Sequence, residues 1–148
     1  IYEEAIERYK LCLANAVVKR AHASEKAYIC LKCGWLVRCM REELLKEAPE
    51  DTERLKELKE QELEYLKNAY EGFVNARMTE SSYPMCGMDE MTVDYLVAAL
   101  AMDIGQYDVA TKMIAAILTS TSATPRIKDK ARDMKDELIA LIREKTAK

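Results

Sequence analysis

Glycine and proline are scarce, at four and three in 148 residues. A β-fold with many tight turns needs both repeatedly, so that class is excluded and helix is favoured. Aromatic residues make up 7 %, with one Trp, one Phe and eight Tyr. Histidine occurs once, as His22 at a helix end, where capping or plain exposure outweighs catalysis. Pairing it with a cysteine nucleophile needs a proximity that sequence does not supply. Nothing resembles a phosphate loop or a Ser-His-Asp set. No apolar run approaches the roughly 20 residues of a membrane span; the longest goes only from Tyr95 to Met102. Positive charge is not in excess. The net charge of −3 and pI near 5.4 argue against a domain that works by neutralising nucleic-acid phosphates. Cysteine is odd in number and irregular in spacing, at Cys12, Cys30, Cys33, Cys39 and Cys86. No disulfide framework is implied, which makes a reducing cytoplasm the expected compartment. No signal peptide is visible: residue 1 is Ile inside an already helical pattern, so features upstream of Ile1 are expected.

What is present is 49 % hydrophobic and 33 % charged, the balance of a soluble domain with a charged surface. One small–bulky–small unit recurs at helical spacing: Ala5/Tyr9/Cys12, Ala69/Phe73/Ala76 and Ala110/Ile114/Ile117, the last with Ile in the small place. Such a unit lets a helix press closely on a partner, and its repetition is the sequence sign of a helical array. The pattern predicts an all-α, TPR-like array of antiparallel helix pairs, forming one domain over 1–148. About six helices are expected: Tyr2–Arg20, Glu25–Glu47, Asp51 or Thr52 to Met78, Glu90–Ile104, Tyr107–Thr119, and one starting at Pro125. Ser24, Asp89 and Thr124 are the expected N-caps, and Gly105 a C-terminal stop. From Glu42 to Glu64 the local balance is −6, which reads as a solvated hairpin tip held by pairs three and four apart. The fourth helix is apolar on nearly every face and reads as central. The last helix has a narrow stripe of Ile127, Ala131, Met134, Leu138 and Leu141. That suits a capping helix, with a seam between two chains as the rival reading.

Two resemblances follow from particular residues. Tyr28-x2-Leu31-Lys32-x2-Trp35 is similar to the front helix of a tetratricopeptide pair, except that Lys32 stands in the small place. Gly105-Gln106-Tyr107-x2-Ala110 looks like the turn into a rear helix. The spacing is long: Ala69 and Ala110 lie 41 residues apart, against roughly 34 in the standard repeat. The stretch Ser82–Glu90, with Tyr95-Leu96, Arg126–Ala131 and Arg8–Leu11, resembles a bacterial family of uncharacterised proteins, domain-of-unknown-function family 2225. That resemblance implies a helical region behind a Cys-rich segment, and no established activity.

Cys30-Leu-Lys-Cys33 has metal-ligand spacing, but a closed zinc site needs four ligands and Cys33 sits in an apolar stripe, so core packing is favoured. Cys12 and Cys39 read as core. Cys86, in a loop, reads as the most reactive thiol. Asp89 and Glu90 could be a carboxylate pair, but helix-start acids already have a capping role. The basic run Arg126, Lys128, Lys130, Arg132 and Lys135 is interleaved with Asp129, Asp133 and Asp136, which favours ion pairing over nucleic-acid contact.

The function read from this is a non-catalytic protein-interaction or scaffold module without cofactor. Its partner would be a protein or peptide, including its own upstream segment, rather than nucleic acid or membrane. By the tetratricopeptide resemblance, the groove would show Ile29, Cys33 and Leu36 from the second helix. The fourth would add Tyr95, Ala99, Met102 and Asp103. Alternatives are a thiol- or metal-dependent regulator using Cys30, Cys33 and Cys86, and a homodimer formed through the last helix.

Overall fold

A computed structural model describes residues 1–18, 22–79 and 83–147. It contains six α-helices: α1 (Tyr2–Val18), α2 (Ala23–Glu47), α3 (Thr52–Thr79), α4 (Glu90–Asp103), α5 (Tyr107–Thr119) and α6 (Pro125–Thr146). The expected end of the first helix at Arg20 and the first residue of the stretch Ser82–Glu90 lie outside the described residues. Among those described, no strand is present, only an isolated bridge between Met85 and Met88. The fold comprises two compact units, Ile1–Ser81 and Ser82–Lys148.

In the first unit, α2 and α3 form an antiparallel hairpin across the short turn at 48–51, and α1 packs on α2. The hairpin is close because two glycines stand at the crossing. A Cβ on Gly72 would fall 2.7 Å from the Ala27 Cβ, and one on Gly34 would fall 2.7 Å from Leu66 Cδ2. Leu31, Leu66, Ala69, Phe73 and Ala76 fill the buried interface. Thus Ala69/Phe73/Ala76 does press inward. Its expected counterpart on α1 does not: Ala5 and Tyr9 are half-buried and Cys12 is exposed, while Ile6 is the residue α1 buries. The reason is rotational: α1 turns Ile6 toward Val37 and Tyr65, so its small face points outward. Cys12 as core is therefore corrected. So is Ser24 as N-cap: it lies buried inside α2, and the cap position is His22, whose carbonyl accepts from the Glu25 and Lys26 amides.

The second unit is a three-helix bundle in which α4 packs on α5 and α6, and α5 on α6. Its helix ends match their residues. Asp89 caps α4 by accepting from the Thr92 amide at 2.9 Å, and Thr124 caps α6 from the Ile127 amide. Pro125 opens α6, where its missing amide costs nothing. At the end of α4 the Gln106 amide reaches the Ala101 carbonyl and the Gly105 amide that of Met102. This is a Schellman closure, and it requires the φ of +85° that Gly105 adopts. Val93, Val97, Ala98, Ala101, Ala110, Ile114, Ile117, Ala131, Met134 and Leu138 form the core. The Ala110/Ile114/Ile117 unit is buried as its spacing predicted.

Candidate functional site

The seven groove residues fall into the two units: Ile29, Cys33 and Leu36 in the first, Tyr95, Ala99, Met102 and Asp103 in the second. Cys33 is fully buried and unavailable to a ligand. Leu36 packs against the cluster of Ile6, Val37 and Leu58. Tyr95 faces α6, with Lys130 Nζ 5.9 Å from its ring, and burial raises its hydroxyl pKa, aided by Glu137 and Asp133. Ile29, Ala99, Met102 and Asp103 are half-buried. None of the seven lines the four cavities described below.

The cysteines are dispersed too. Cys30 and Cys33 are buried in α2 of the first unit, and Cys86 is exposed in the second. Burial pushes the Cys33 thiol up to about 11, helped by Cys30, and raises Cys30 as well. Both are protonated near neutral pH, the opposite of what a thiolate ligand or nucleophile needs. Cys86 sits at a φ of +50° beside Gly87 at +76°, in a tight turn that Met85 and Met88 close by exchanging backbone hydrogen bonds. Both central residues of such a turn require positive φ. Among the described residues, no group of three or more His, Cys, Asp or Glu is arranged to hold a metal ion. Asp89 is engaged in capping, and its hydrogen bonds at Thr92 hold its carboxyl below the usual range.

One buried charge went unread in the sequence. Glu62, within the acidic run expected to be solvated, is 1 % exposed at the α2–α3 interface. Arg41 Nε donates to it at 2.9 Å, Arg38 Nε at 3.4 Å and Lys59 Nζ at 3.4 Å. Burial opposes its ionisation, but the Arg41 hydrogen bond and the charges of Lys59, Arg41 and Arg38 outweigh that, and its pKa is lowered. The cluster is a latch between helices.

Surface depressions differ in chemistry. One of about 390 Å³ in the first unit is rimmed by Glu3, Glu43, Glu47 and Arg54. A second one there, of about 350 Å³, lies along Ala5, Arg8, Tyr9 and Cys12. A smaller cavity of about 210 Å³ is walled by Lys10, Gln61, Glu64 and Asn68. Lys32 lies 5.1 Å from the rings of both Tyr28 and Trp35, on an exposed face of α2.

The cavity between α5 and α6 is of another kind. It holds about 340 Å³ and is lined by Ile114, Ala115 and Leu118 of α5 and by Leu138, Ile139 and Ile142 of α6, with Thr111 and Lys135 at its mouth. Ile139 and Ile142 are 38 % and 36 % exposed. Each helix presents one seam with three- and four-residue steps, Thr111-Ala115-Leu118 and Lys135-Ile139-Ile142. Of the α6 stripe Ile127, Ala131, Met134, Leu138 and Leu141, the middle three are buried inside the unit and the outer two are half-buried; the open seam is rotated one residue onward. Three of the α6 cations are engaged: Arg132 pairs with Asp129 at 2.6 Å, and Lys130 and Lys145 lie over the rings of Tyr95 and Tyr107.

The profile of a bacterial family described as "Uncharacterized protein conserved in bacteria (DUF2225)" matches residues 1–138. No curated protein and no solved structure matches the chain.

Proposed function

The chain belongs to that bacterial family, and from this premise we propose that it is a non-catalytic protein-interaction module of the helix-pair type, similar in plan to tetratricopeptide arrays. The observation that carries the reading is the apolar cavity between α5 and α6, with Ile139 and Ile142 presented to solvent. Two neighbouring isoleucines over a groove are anchors of the sort that bury on binding a helix. The face proposed here is not the groove inferred by resemblance, of whose residues Cys33 is fully buried.

A thiol- or metal-dependent regulator is the weaker reading, since Cys30 and Cys33 are buried and held protonated. Photo-crosslinking tests the interaction reading. A photoreactive residue placed at Ile142, in the native bacterial cell, is expected to give a discrete protein adduct that Ile139→Glu abolishes. The absence of any adduct, or an adduct indifferent to Ile139→Glu, would remove the support for this face.

A further inference from the structure

The geometry points to a second copy of this chain as the occupant of the α5–α6 groove, its α6 lying antiparallel to the first. This rests on the interaction reading above and deepens it. On α6, Lys135, Ile139, Ile142 and Thr146 follow one another at steps of four, three and four, the seam spacing of paired helices. Asp136 and Arg143 stand seven residues apart on one flank of that seam, about 10 Å along the axis. Both are exposed, and neither side chain makes an ion pair among the described residues. A twofold axis near Ile139 brings Asp136 of each copy opposite Arg143 of the other, twice by symmetry. A parallel pairing would bring like charges to the same level instead. The charge pattern therefore selects one orientation, and it is self-complementary only in that orientation.

The seams agree with the charges. Ile139 and Ile142 of the second copy enter the groove walled by Ala115 and Leu118, and the reciprocal contact forms at the same time. Two α5–α6 hairpins then make a four-helix bundle, of which each chain supplies half. The seam is short, so the interface belongs to the small and reversible class, with a dissociation constant on the order of 1–100 µM.

Sedimentation equilibrium of the 148-residue chain from about 5 to about 500 µM tests this. The average mass is expected to rise from 16.9 kDa toward twice that value. Ile139→Glu should hold it at the monomer mass. Asp136→Arg removes two attractions and sets arginines against arginines, and should raise the dissociation constant about tenfold. Adding Arg143→Asp to that variant should restore dimerisation to near the parent value. Circular dichroism at 222 nm checks that each variant keeps its helices. A chain that stays at 16.9 kDa throughout overturns the proposal, as does a charge swap that fails to restore pairing. A monomer whose Ile142 crosslinks to a different protein overturns self-pairing and leaves the interaction reading standing.

Discussion

Arg41 Nε lies 2.9 Å from Glu62 Oε1 across the α2–α3 interface, and that carboxylate is 1 % exposed. The two residues are 21 apart in sequence and meet because the hairpin folds α3 back along α2. Removing one partner of such a buried pair leaves the other desolvated, which costs more than the pair contributes. Glu62→Gln is expected to destabilise the chain by about 3 kcal/mol, read by urea denaturation. A change under a few tenths of a kcal/mol would mean that the latch contributes nothing to stability.

Acid should act on the same latch. The Glu62 carboxyl is held below its ordinary range when folded, so its contribution is fully present above that range. It is lost as pH falls through the lowered folded value. Denaturation midpoints of the parent should therefore decline more steeply on acidification than those of Glu62→Gln. Parallel pH profiles would contradict the assignment.

Gly72 should resist substitution. Alanine at an open helical site gains up to about 1 kcal/mol over glycine. Here the new Cβ would lie 2.7 Å from the Ala27 Cβ, which cannot rotate away. Gly72→Val is expected to destabilise by about 2 kcal/mol through overpacking. Pairing it with Ala27→Gly should recover part of the loss.

Thiol reactivity should separate the cysteines. Cys12 and Cys86 are exposed, whereas Cys30 and Cys33 are buried and protonated. A thiol-specific probe at neutral pH should label the first two in the native chain and the second two only after denaturation. Labelling of Cys33 at the rate of Cys86 would revive the thiol-based reading.

The helices were legible because their signals are local. The caps at Asp89 and Thr124, the proline at α6 and the glycine after α4 each depend on residues within one turn. Rotation of a helix about its axis was less legible. Tyr9 and Cys12 share the spacing of Phe73 and Ala76, yet α1 turns that face outward, because Ile6 is what it packs against Val37 of α2 and Leu58 and Tyr65 of α3. The stripe of α6 was found, but its neighbour Ile139–Ile142 was not, since one residue of rotation decides which of two apolar stripes meets α5. Glu62 could not be told from nine nearby acids, because its partners Arg38 and Arg41 come from another helix. Lys32, read as a poor fit to a small position, stands between two rings at the surface, and Gly34 makes the close approach.

Methyl-resolved NMR on isoleucine-labelled chain tests the central claim most directly. Ile139 and Ile142 methyl shifts should move with protein concentration, while Ile6 and Ile117, buried inside their own units, stay fixed. Shifts that are constant for all four, or that move most at Ile6, would contradict the assignment of the α5–α6 face as the interface.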